Sequence, residues 1–361
     1  MTTIAKTMAQ LQNCTTTAKS VAMWVFRSLA AFFVIVGAGA AEHCSVQVAA
    51  EPSECSGNLL LRLKPWYGRL GNNLVSLAHV LHLGRETRSE VIITPHPYFK
   101  QTEWDFREAS RISAEVELTF IGTGNIGRQI AITDDFYHES EMPLRLSNWS
   151  FTTSKQRRVL VEQVLPAFRI VPRHVRDSIV IHVRAGDVFT HTVIHPYYGQ
   201  PPFAFYKTVL QLPELAALQI LVVVEDYSNP VVALIQQEYK DRVQVITDLE
   251  QGVATILGSR HLVLARSTFS ENLGKMAPSV QNLYFPYCVD EDGNDKRESE
   301  WDLTWNMKGY CYEYDDYIPL SAWTRSPQQM EMMSNFSPDR VHSFQLPVVL
   351  HDIAFYYDVW S

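Results

Sequence analysis

The residue types best suited to chemistry stand at the tip of one apolar run. Ile179-Val180-Ile181 leads into His182-Val183-Arg184-Ala185-Gly186-Asp187, so a buried strand carries an imidazole and a guanidinium to its end and breaks at glycine. An arginine so placed can make bidentate, charge-assisted bonds to a diphosphate, and unlike lysine it stays charged on partial burial. Asp187 can orient it; a plain ion pair between Arg184 and Asp187 is the competing reading. Two other segments offer complementary groups. Gly68-Arg69-Leu70-Gly71-Asn72-Asn73 supplies a tight turn whose backbone N–H groups can meet an anion, although an ordinary turn between strand and helix has the same composition. Ala265-Arg266-Ser267-Thr268-Phe269-Ser270 follows another apolar strand and sets hydroxyls at a helix start, where they can face phosphates or simply cap the helix.

These segments need elements to position them, and the pattern supplies a regular series. Asn58 to Lys64 reads as a strand, Leu74, Leu77, Ala78 and Leu81 have helical spacing, and Glu90 to Thr94 and Glu115 to Ile121 read as strands. From Asp177 onward, strands at 178–183, 218–224, 242–246, 261–265 and 282–285 alternate with helices at 203–212, 230–240, 249–257 and 270–276. Apolar strands between short helices predict an α/β fold with a mostly parallel sheet covered on both faces, where ligands bind beyond the carboxyl ends of the strands. The tail from Tyr310 is aromatic-rich and expected to pack, without an assigned place.

The chain has 361 residues, enough for two ordinary domains, and its formal net charge of -8 argues against a broad nucleic-acid surface. Residues 1–41 carry Lys6, Lys19 and Arg27, no acid, and a closing apolar run, which predicts a targeting segment. Ser28 to Ala41 would span roughly 21 Å as a helix, short of a hydrocarbon core of about 30 Å. A signal-anchor reaching back to Val21 and a signal peptide cleaved after Ala38-Gly39-Ala40 are the two readings. Either leads to an oxidising lumen, where Cys44, Cys55, Cys288 and Cys311 allow up to two bridges; proximity favours Cys44 with Cys55 and Cys288 with Cys311. Sequons at Asn148 and Asn335 agree with that address.

In this order, the three segments resemble the motifs of the GDP-fucose-using fucosyltransferase superfamily (α-1,2-, α-1,6- and protein O-fucosyltransferases). Gly68 to Asn73 resembles its Gly-x-Phe/Leu-Gly-Asn-Gln turn, and His182 to Asp187 its His-x-Arg-x-Gly-Asp motif. Glu225 to Pro230 is similar to its Ser/Thr-Asp-Asp-x-Pro segment, and Ser267 to Ser270 to its Ser-Thr/Ser-Phe-Ser motif. The chain departs from that pattern at Asn73, at Ala185, where a second arginine is usual, and near Val253, where an acid is expected and only Asp248 or Glu250 stands close.

The resemblance implies a GT-B-like fold of two Rossmann-like domains: targeting segment 1–41, stem 42–57, acceptor-side domain 58–175, nucleotide-sugar domain 176–310 and C-terminal extension 311–361. It implies an inverting transfer from GDP-fucose or another nucleotide sugar to a glycan or glycoprotein, without metal or other cofactor. Location would be the Golgi or ER lumen, as a type II membrane protein or a secreted one. Arg184, His182, Asp187 and Asn72 become the expected catalytic residues, and Gly68, Gly71, Asn73, Asp226, Ser267, Thr268, Phe269 and Ser270 the donor-binding ones. His79, Asp105 and Asp187 are the candidate bases, and His195 to Pro202 a candidate sugar wall. Two rivals stand beside this reading: a sugar-binding or scaffolding protein on a degenerate transferase fold, and an NAD-dependent oxidoreductase built on Gly122-Thr123-Gly124-Asn125-Ile126-Gly127. The acidic loop Asp290 to Asp302 reads as solvated surface.

Overall fold

A computed structural model describes residues 46–48, 60–63, 66, 68–108, 117–122, 129–132, 144–147, 153–192, 195–288, 307–318 and 322–346. The chain enters through Val46–Val48 (β1) and Leu60–Leu63 (β2), then forms the helix Leu70–Thr87 (α1) and the strands Glu90–Ile93 (β3) and Glu103–Asp105 (β4). Glu117–Gly122 (β5), Gln129–Ile132 (β6) and Leu144–Ser147 (β7) follow. A four-stranded sheet has the order β4-β3-β2-β6, with β2 parallel to both β3 and β6 and β4 antiparallel at the edge. The helix Thr153–Val159 (α2) runs on through a π-helical stretch, Leu160–Val164, into Leu165–Ala167.

Strand and helix then alternate as the periodicity predicts: Val175–Val183 (β8), Asp187–Thr190 (α3), Phe203–Leu210 (α4), Gln219–Val224 (β9), Pro230–Tyr239 (α5), Val243–Ile246 (β10), Leu249–Leu257 (α6), Ser259–Val263 (β11), Thr268–Met276 (α7) and Asn282–Phe285 (β12). Helix starts have local causes. Asn229 accepts from the Val231 N–H ahead of α5, and Asp248 from that of Gln251 ahead of α6. The aromatic tail, unplaced from sequence, adds Lys308–Tyr314 (β13), Pro327–Asn335 (α8) and Val341–Gln345 (β14); Ser326 and Gln329 form a capping box that starts α8.

The result is a seven-stranded sheet in the order β10-β9-β8-β11-β12-β13-β14, parallel except for β14. From β8 the chain winds outward to β9 and β10, then crosses to β11, β12 and β13, the strand order of doubly wound nucleotide-binding sheets. Alternation along β8 divides the core. Ile179, Ile181 and Val183 pack with Phe205 and Val209 of α4, Val231 and Ile235 of α5 and Met333 of α8. Val180 faces the other way, into a cluster with Val253 and Ile256 of α6 and Leu273 of α7. That second cluster continues through Leu74, Leu77 and Leu81 of α1 to Leu61 and Leu63 of β2, so α1 and α7 form a shared layer. Each such aliphatic side chain contributes about 1.5–3 kcal/mol on full burial.

The oxidoreductase reading fails here. β5 pairs antiparallel with β1 and β7, and the strand β6 begins at Gln129, which leaves only residues 123–128 after Gly122. A dinucleotide site needs a crossover helix at that point, and six residues cannot hold one. Residues 1–45, the Asn148 sequon and the loop Asp290 to Asp302 lie outside the described residues. Cys288 and Cys311 form a disulfide that ties the end of β12 to β13, while Cys44 and Cys55, the other expected pair, lie outside the described residues.

Candidate functional site

The strand order reverses between β8 and β11, and in doubly wound sheets the crevice beyond the carboxyl ends at such a point is where ligands bind. β8 delivers Arg184 to it. One guanidinium nitrogen donates to the Arg266 carbonyl at 3.3 Å, another lies 3.8 Å from Asp187 Oδ2, and Cζ sits 4.2 Å above the Tyr198 ring. The aromatic face fixes the cation without discharging it. Gln200, fully buried, donates to the carbonyls of Tyr198 and Arg266, which binds the loop 195–202 to the same corner.

The turn after Arg184 depends on a missing side chain. Gly186 has φ 65°, and a Cβ there would stand 2.3 Å from a Glu225 carboxylate oxygen. Its N–H is held by Asp226 Oδ1 at 3.2 Å and Ser228 Oγ at 3.0 Å. Burial works against the charged Asp226, but the hydroxyl and N–H of Ser228, the Gly186 N–H and the field of Arg69 outweigh it and hold the carboxyl below its ordinary value. Asp226, expected to bind donor, is therefore engaged in pinning the β8 and β9 loops together.

The third segment meets the first at the start of α7. Ser267 Oγ accepts from the Phe269 N–H at 3.2 Å, so this hydroxyl caps the helix. Thr268 donates to Asn72 Oδ1 at 2.9 Å. Gly71 permits the meeting: a Cβ there would lie 2.6 Å from the Phe269 nitrogen. Ser270 is completely buried and bonds the Ala265 backbone, so it closes the loop from within and does not face the crevice. Asn73 is also buried, its Oδ1 3.1 Å from His96 Nε2.

His182 needs a similar correction. Its ring packs 5.1 Å from that of Phe269, and burial, helped by the Arg184 charge, drives its pKa down to about 3. The imidazole is neutral at physiological pH and cannot exchange a proton there by titration. Among the candidate bases, His79 is buried on α1. Asp105 pairs with Glu90 at the amino end of β3, opposite the crevice, and is bound by Arg107. Asp187 alone of the three stands at the site.

Three charged residues were hidden inside the motifs. Arg69 follows Gly68, which takes φ 64°, and reaches over to Glu225 Oε2 at 2.6 Å and Asp187 Oδ2 at 3.7 Å. It therefore converges with Arg184 on one Asp187 oxygen. Arg266 lies against Tyr287, 5.6 Å from its ring centre. A cation inside a glycine turn was the one sequence signal for Arg69, and nothing marked Glu225 as its partner.

No family model matches the chain, and no curated protein matches it. Among solved structures it is similar to an Arg-to-Lys mutant of Arabidopsis thaliana FUT1 in complex with GDP, with 12% identity over 72% of this chain and 75% of that one and a TM-score of 0.35.

Proposed function

We propose that the chain is an inverting glycosyltransferase that moves fucose from GDP-fucose to a glycan or glycoprotein acceptor. The observation that carries this reading is the convergence of Arg184, just past the end of β8, and Arg69, in the turn before α1, on one Asp187 carboxylate oxygen. An oxocarbenium-like transition state requires charge neutralisation on the leaving diphosphate more than a strong nucleophile. Two guanidiniums and the N–H groups at the start of α7 supply it. Asn72 holds the Thr268 hydroxyl in place, and of the three candidate bases Asp187 is the one that stands beside Arg184. The basic-flanked apolar N-terminus and the Cys288–Cys311 bridge support a luminal site of action.

The test is nucleotide release from a panel of nucleotide sugars offered with glycan and glycoprotein acceptors. Release of GDP from GDP-fucose, dependent on acceptor, is the expected result. GDP binding with no turnover on any acceptor would instead favour a sugar-binding protein on a transferase scaffold.

A further inference from the structure

Two arginines and two carboxylates pair with one another at this corner. Arg69 and Arg184 face Asp187 and Glu225, and the shortest contact joins Arg69 to Glu225 at 2.6 Å. The Glu225 carboxylate also rests over the Gly186 α-carbon, at the exit of β8 where Arg184 emerges. A diphosphate entering this corner would meet two carboxylates, one of them on the cation it needs. Asp187 is the more enclosed of the two, with 27% of its side chain exposed, and is shared by both arginines; Glu225 is half exposed and bonded to Arg69 by side chain alone. Glu225 is thus the carboxylate free to leave.

We infer that Glu225 is an internal stand-in for the donor phosphate: it pairs with Arg69 and must yield that guanidinium when a diphosphate binds. This rests on the nucleotide-sugar reading above and adds a gate to it. The gate sets donor affinity through charge, so it acts on the diphosphate and is indifferent to the base. Because the pair is largely solvated, breaking it is cheap, and the effect of removing the competitor is moderate.

Binding of GDP and of inorganic pyrophosphate to the full chain, measured by calorimetry, tests the gate. Glu225→Gln should tighten both ligands about fivefold at low salt, the scale of one exposed charge pair. In an Arg69→Ala background the same change should gain less than about twofold, because the cation competed for is gone. Equal or weaker binding by Glu225→Gln overturns the gate while leaving the transferase reading intact. An undiminished gain in the Arg69→Ala background overturns the competition for Arg69. Failure of the unmodified chain to bind either ligand overturns both the gate and the reading beneath it.

Discussion

His182 shows how one side chain can serve a site without touching the chemistry. It precedes Arg184 by two residues on β8, so both leave the strand on the same face, but His182 is enclosed under Phe269 while Arg184 passes the strand end. With a folded pKa of about 3, against about 6.5 in the unfolded chain, only the unfolded state gains the proton as pH falls through that window. Stability from His182 is therefore fully present above about pH 6.5 and is lost toward pH 3. His82, lowered to about 3 mainly by burial, with Lys155, His79 and Arg85 adding to the shift, acts in the same direction. Acid unfolding followed by circular dichroism should show stability falling with pH across this range, each histidine adding a slope of about 1.4 kcal/mol per pH unit. His182→Gln should flatten that dependence; a slope identical to the unmodified chain would contradict the burial argument.

At the scale of elements, the contact between α2 and α7 fixes the layer on which the site rests. Lys275 of α7, with 8% of its side chain exposed, donates to Glu271 at 3.0 Å and Gln156 at 2.7 Å, while Arg157 donates to the Lys275 carbonyl at 3.1 Å. Lys275→Ala removes the cation and leaves Glu271 and Gln156 without it, at a cost of about 2 kcal/mol by urea unfolding, below the full buried-pair figure because Glu271 is a third exposed. Lys275→Met keeps the packing volume and should lose less; a loss equal to that of alanine would show that the charge, not the stem, holds the seam. The helices and strands from β8 to β12 were legible because their apolar runs have one period each and no conflicting signal. The exposed-side polarity of β13 and β14 concealed both strands: Lys308, Glu313 and His342 interrupt the apolar pattern, and it is pairing of β13 to β12, and of β14 to β13, that makes strands of them. At the site, motif spacing located the three segments, yet it could not assign roles within them. Ser267 and Ser270 have the same side chain and are separated by three residues; the turn aims one at a cap and the other at the Ala265 backbone.

For the whole molecule, the seven-stranded sheet is closed on its outer side by a covalent tie as well as by pairing. The Cys288–Cys311 bridge closes a loop with a sequence separation of 23 residues, which in the chain-entropy model stabilises by about 3 kcal/mol. Replacing both cysteines by serine should lower stability by about 2–4 kcal/mol, read as a fall in the thermal midpoint, and leave the proposed binding of GDP at the β8–β11 switch point unchanged, because β12 and β13 stand outside it. Loss of binding in a folded double variant would mean that the outer strands help shape the site.

In the proposed function, Arg184 neutralises a departing diphosphate at the same place. Turnover of GDP-fucose by Arg184→Ala, with its fold checked by circular dichroism, measures this most directly. The expected value is less than about a tenth of the unmodified kcat/KM, a loss of more than about 1.4 kcal/mol in transition-state stabilisation. A folded Arg184→Ala protein that keeps more than that fraction would contradict it.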